Sequence, residues 1–165
     1  MRHTIRLFVL AISVFLIKPS FSAETDNKKW ATSIATNGVY LRKPISNDSA
    51  IFLGARYYFY NSDFGSSDST HHSIGLTIGY RLYLKNTEIR KFFESSLSYS
   101  RFTNQDSSDY SNTSISFAYG LEKFISPDFS VEGSAGIGFQ YSDQDTYNSR
   151  TITIPAVKLA INYYF

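Results

Sequence analysis

The mid-strand charges constrain what this chain can fold into more than any other feature. Side chains alternate faces along a strand, so a segment with period-2 hydrophobicity has one apolar face and one polar face. Six segments alternate in this way: "AIFLGARYYFY", "SIGLTIGYRLYL", "FFESSLSYSRF", "SISFAYGLEKF", "FSVEGSAGIGFQYS" and the closing "VKLAINYYF". The first sets Ile51, Leu53, Ala55, Tyr57 and Phe59 against Gly54, Arg56 and Tyr58, and the last sets Val157, Leu159, Ile161, Tyr163 and Phe165 against Lys158, Ala160 and Asn162. Only Arg101 and Lys123 share the apolar parity, and both stand near segment ends. Arg56, Arg81, Glu94, Glu122, Glu132 and Lys158 all take the opposite parity. Three acids and three bases on one set of faces are expected to share an enclosed interior, where buried charges must pair. The apolar faces are then free to meet lipid, where an arginine or lysine in mid-strand would cost about 2–4 kcal/mol.

The connections alternate in character too. "NSDFGSSDSTHH", "TNQDSSDYSNT" and "SDQDTYNSR" are long, polar and acidic, whereas "KNTEIRK" and "SPD" are short. Long loops at one end and short turns at the other is the pattern of a membrane barrel with its long loops outside the cell. The sequence therefore predicts an all-β chain, an antiparallel up-and-down transmembrane β-barrel. An even strand count with both termini inside requires eight strands. The missing two are expected near Trp30–Thr36 and Val39–Ile45, turning at Asn37-Gly38, a strong hairpin dipeptide. One long strand over Trp30–Arg42, leaving seven in all, is the competing reading.

The beginning of the chain agrees with export. Arg2 and Arg6, an apolar run from Leu7 to Ile17 and small residues at Ser20 and Ser22 have the layout of a secretory signal peptide. Residues 1–22 are expected to be removed, leaving residues 23–165 as the barrel. Of the 16 basic residues, Arg2, Arg6 and Lys18 go with the signal, so 13 remain against 14 acidic ones, and the formal +2 becomes −1. That balance offers nucleic acid nothing. The chain has no cysteine, which excludes disulfides and Cys-based metal or redox chemistry.

The stretch "SISFAYGLEKFISPDFSVEGSAGIGFQYS" followed by "VKLAINYYF" resembles the small eight-stranded outer-membrane barrels of the OmpX/Ail and OmpA type. The resemblance implies the outer membrane of a Gram-negative bacterium as location, with outer-membrane lipid and lipopolysaccharide as surroundings. It also implies that Tyr163 and Phe165 form the β-signal read by the barrel-assembly machinery. The functions it implies are adhesion to a host or surface ligand, or envelope integrity and resistance to host defence; a non-enzymatic surface protein without a cofactor is the expectation.

An eight-stranded barrel is filled by its own side chains, so the charged interior reads as packing, with a narrow pore as the alternative. A lipid A-modifying enzyme at the outer rim is a further alternative. It would use His72, which lies beside His71 and Ser73 with Asp63 and Asp68 nearby in sequence. A soluble lipocalin-like barrel would need the reverse parity. Lys85, Arg90, Lys91 and Lys123 gather at the short-turn end and read as a solvated rim. Binding is expected in the long loops, at Asp63, Asp68, Asp106, Asp109, Tyr110, Asp143, Asp145 and Tyr147.

Overall fold

In the computed structural model, eight antiparallel strands follow one another around a closed barrel. The structure describes residues 30–64, 67–84, 89–104, 109–144 and 147–165. The expected signal peptide lies outside the described residues. The strands are β1 (Ala31–Ala35), β2 (Gly38–Ser46), β3 (Ser49–Phe64), β4 (Ser67–Tyr83), β5 (Ile89–Asn104), β6 (Tyr110–Phe124), β7 (Phe129–Gln144) and β8 (Tyr147–Tyr164). Closure comes from β1 lying antiparallel to β8, in register from Ala31↔Tyr164 to Ala35↔Ala160. The Phe165 amide donates to the Trp30 carbonyl at 2.9 Å, so both ends of the described chain meet at one end of the barrel, here the terminal end.

The barrel is inside out with respect to a soluble protein. Outward residues such as Leu76 (66% exposed) and Ile161 (59%) form an apolar band, while Arg81 (1%) and Glu122 (0%) are buried within. That distribution excludes the lipocalin-like alternative, whose outer face would be polar. Space inside is made by glycine. Phe52 lies opposite Gly79 and Phe92 opposite Gly120, and a Cβ on either glycine would run into the facing ring. Aromatic rings covering cross-strand glycines let bulky side chains fill a narrow barrel.

The N-terminal segment forms two strands, not one. The hairpin turns one residue earlier than the dipeptide signal indicated, at Thr36–Asn37, with Ala35 opposite Gly38. Gly38 is the residue with positive φ (145°), which is why a glycine is needed there.

The long polar connections are mostly strand. β3 and β4 stay paired out to Phe64↔Ser67, β5 and β6 to Phe102↔Tyr110, and β7 and β8 to Gln144↔Tyr147. Polarity marks where lipid contact ends, whereas the ladder of backbone hydrogen bonds is indifferent to side-chain polarity and continues. β8 also holds a bulge. Gly136 faces Ala156 but Gly138 faces Thr153, so one extra residue beside Pro155 shifts the parity. Ile152 and Ile154 before the bulge and Val157 after it are all exposed. Pro155 has no N–H to give to a ladder, and bulges are where strands accommodate proline.

Candidate functional site

All the interior charges of the expected set except Arg56 join in one chain across the lumen. Glu94 of β5 lies directly opposite Arg81 of β4 and accepts from its Nε at 3.0 Å. Lys158 of β8 reaches the other Glu94 oxygen at 2.5 Å. Arg81 Nη1 also donates to Glu132 of β7 at 2.7 Å. Below its guanidinium, 3.7 Å away, lies the ring of Phe92. Glu132 then meets Arg42 of β2 at 3.0 Å, and the other Arg42 nitrogen is 3.6 Å from Glu122 of β6. Six strands are tied together, and β2 and β6 are diametrically opposite in an eight-strand ring.

Arg42 is the member that sequence reasoning missed. Its own strand was short and read poorly, although the parity rule already placed it inward beside outward Leu41 and Lys43. The need for it is plain in the register. Glu122 and Glu132 face each other directly across β6 and β7, an arrangement of like charges that is unfavourable alone. The planar fork of Arg42 lies between them, and a guanidinium suits such bridging better than an ammonium.

Around Glu122 the network becomes neutral and dense. Its Oε1 accepts from Ser130 at 2.6 Å, from Asn162 at 3.1 Å and from the Tyr164 hydroxyl. Ser33 of β1 donates to Asn162 at 2.5 Å, which brings the first strand in as well. Glu122 Oε2 accepts no hydrogen bond among the described residues and lies 3.9 Å from Arg90 Nη1. Arg90 is therefore not a rim residue. It is buried inside, its guanidinium 4.7 Å from the Tyr83 ring and 5.0 Å from Phe124. Lys123 is likewise buried, while Lys91 is exposed and Lys85 lies outside the described residues. A sequence cluster of basic residues here alternates faces, so adjacency along the chain did not make a patch.

Arg56 stands apart from this network, further from the terminal end. Its guanidinium donates to Ser100 at 2.8 Å, and no carboxylate among the described residues lies within ion-pair distance. Further hydroxyls pair nearby in the lumen: Thr77 with Ser98 at 2.8 Å and Ser96 with Ser116 at 2.7 Å. They line a cavity of about 200 Å³.

His72 and Ser73 point to opposite sides of the wall. His72 is exposed outside, sharing a hydrogen bond with the Tyr57 hydroxyl at 2.8 Å and lying 5.1 Å from the Phe59 ring, while Ser73 is buried inside. Adjacent residues on a strand cannot serve one nucleophile–base pair. Of the expected outer contacts, Asp109 pairs with Arg101 at 3.0 Å, Tyr110 stacks on Phe102 with centroids 4.4 Å apart, and Asp143 is exposed. Asp106 and Asp145 lie outside the described residues, as do the side chains of Asp63, Asp68 and Tyr147. At the terminal end, Tyr163 and Phe165 are exposed on the outer face with ring centroids 6.0 Å apart.

Among solved structures, the N-terminal β-barrel domain of Pseudomonas aeruginosa OprF superimposes with a TM-score of 0.52 at 14% identity, covering 83% of this chain and 94% of that one. The fold the two share is a closed antiparallel β-barrel, of eight strands in this chain. Two looser superpositions are Ail, the attachment invasion locus protein of Yersinia pestis (TM-score 0.44, 15% identity, 83% and 94% covered), and a major outer membrane protein of Thermus thermophilus (0.43, 12%, 83% and 98%). No family model and no curated protein sequence matches the chain.

Proposed function

We infer that this barrel is a non-enzymatic protein of the outer membrane of a Gram-negative cell, holding acidic strand pairs above the outer leaflet for contact with other surfaces. The observation that carries the reading is the length of the strands. β3 to β8 run for 15 to 18 residues, whereas about 9–11 suffice to cross a bilayer at a tilt. The surplus is paired strand, so Asp109, Tyr110 and Asp143 sit on a stiff extension. The lumen-crossing charges speak against a pore, because ion pairs link β2 to β6 across the barrel at that level. The opposed faces of His72 and Ser73 speak against the hydrolase reading. On this reading the terminal end is periplasmic, and Tyr163 and Phe165 are the signal for the barrel-assembly machinery.

The test has two arms in cells carrying the gene. The protein is expected in the outer-membrane fraction with heat-dependent gel mobility, and Asp109→Asn, Tyr110→Ala and Asp143→Asn together are expected to reduce attachment to host-cell or matrix surfaces while that mobility stays unchanged. The lipid A mass spectrum is expected to be the same with and without the gene. A changed acyl pattern that requires His72 would make the protein an enzyme.

A further inference from the structure

The wall of the barrel is uneven. β1 and β2 end at a turn level with Leu159 on one side and Ala55 on the other. The Thr36 amide donates to the Leu159 carbonyl at 2.9 Å, and Val39 is paired with Ala55. Beyond that level β3 continues to Phe64, and β8 reaches back to Tyr147. There β3 is paired only with β4, and β8 only with β7, among the described residues. A gap two strands wide therefore separates β3 from β8.

Exposure shows that the gap opens into the lumen. Inward residues flanking it are open: Tyr58 of β3 is 58% exposed, and Thr151 and Thr153 of β8 are exposed. Inward residues on the facing wall are closed off, with Ser100 at 0% and Asn112 buried. The outer side of the gap is apolar on both edges, with Tyr57 on β3 and Ile154 and Val157 on β8 all exposed outward. It opens sideways, between apolar edges.

Behind it lies the cavity of about 200 Å³, bordered by Asn37 at the hairpin tip, Arg56, Ala156 and the hydroxyls of Ser96, Ser98 and Ser116. Of the cations that line it, Lys158 is neutralised by Glu94, whereas Arg56 is held, among the described residues, by the Ser100 hydroxyl. Glu94 lines the cavity too, but it is engaged by Arg81 and Lys158, so Arg56 is the cation there that no carboxylate pairs among the described residues, and such a cation is a place for an anion. The volume suits a head group of phosphate or carboxylate size with its waters.

We propose that this gap is a lateral port through which a single-chain anionic amphiphile from the surrounding leaflet sets its head against Arg56 while its acyl chain stays in the membrane. The charged head gains the guanidinium and the serine hydroxyls, and the tail keeps its contact with lipid along Val157 and Ile154. The inference stands apart from the surface-contact reading, since it uses none of the outer strand ends.

The experiment uses the full mature chain refolded in phosphatidylcholine vesicles, titrated calorimetrically with dodecyl phosphate and, in parallel, with inorganic phosphate, against empty vesicles. Saturable binding of one dodecyl phosphate is expected, with inorganic phosphate far weaker. Arg56→Gln is expected to weaken it about tenfold or more, the loss of one charge-assisted hydrogen bond, and Arg56→Lys to retain most of it. Ala156→Trp, which occludes the cavity without touching the charge, is expected to abolish it. Heat-dependent gel mobility verifies folding of each variant. Equal affinity for inorganic phosphate would overturn the lateral route in favour of a soluble anion. No saturable binding, or binding that survives both Arg56→Gln and Ala156→Trp, would overturn the site itself.

Discussion

The terminal half of the lumen and the half beyond the short hairpin are built from different materials. In the terminal half eight strands surround Arg42, Arg81, Glu94, Glu122 and Glu132, whose ion pairs meet across the barrel. In the far half the wall loses two strands, and the lining changes to serine and threonine hydroxyls around a cavity. The two changes coincide for a physical reason. Charges taken out of water need close partners, and a complete ring of eight strands brings Arg42, Arg81 and the three glutamates within reach of one another. Hydroxyls are satisfied equally by each other or by water, so they suit the half that is open. The short hairpin is thus more than closure, because it contributes Arg42 and Ser33 to the network that needs closing.

The largest way to break this contrast is Arg42→Ala. It leaves Glu122 and Glu132 facing each other, and the expected loss is about 3–5 kcal/mol, as for other broken buried ion pairs. Urea unfolding of the refolded barrel in vesicles measures it. Adding Glu132→Gln is expected to restore part of that loss, and strict additivity of the two changes would mean that Arg42 does not act through the facing carboxylates. Leu76→Arg, on the outer band, is expected to cost about 2–4 kcal/mol in the same assay, and a neutral result would show that this face does not meet lipid. Gly120→Val puts a branched side chain where the Phe92 ring lies and should cost about 1–3 kcal/mol by overpacking. The smallest effect belongs to the open half: Ser116→Ala, which removes the pair with Ser96, should cost about 1 kcal/mol or less. If Ser116→Ala instead proved as damaging as Arg42→Ala, the far half would be packed and dry, and the contrast would fail.

The mean position of each strand was legible because two-residue periodicity needs only the chain itself. Arg81, Glu94, Glu122, Glu132 and Lys158 were assigned inward on parity alone, and all five line the lumen within one connected network. The strand ends were not legible. "NSDFGSSDSTHH" looks like a loop because its side chains are polar, yet its backbone continues the ladder begun in the apolar band. The bulge at Pro155 was also hidden, since a parity shift shows only when a partner strand fixes the register.

Partner identity within the lumen depended entirely on the tertiary structure. Arg56 and Arg42 carry the same charge on the same inward side, and nothing local distinguishes them. Their heights differ: the register of β2 and β3 puts Arg42 opposite Phe52, nearer the terminal end than the Ala55 level above which Arg56 lies. The rows of Glu122 and Glu132 fall within reach of Arg42, and the row of Ser100 within reach of Arg56. Alternation is a local property of a strand, so the order of residues alone sorts the side chains that face lipid from those that face inward. Which inward charges meet, and where the wall stops, was decided by register and by unequal strand lengths, which exist only once all eight strands are paired.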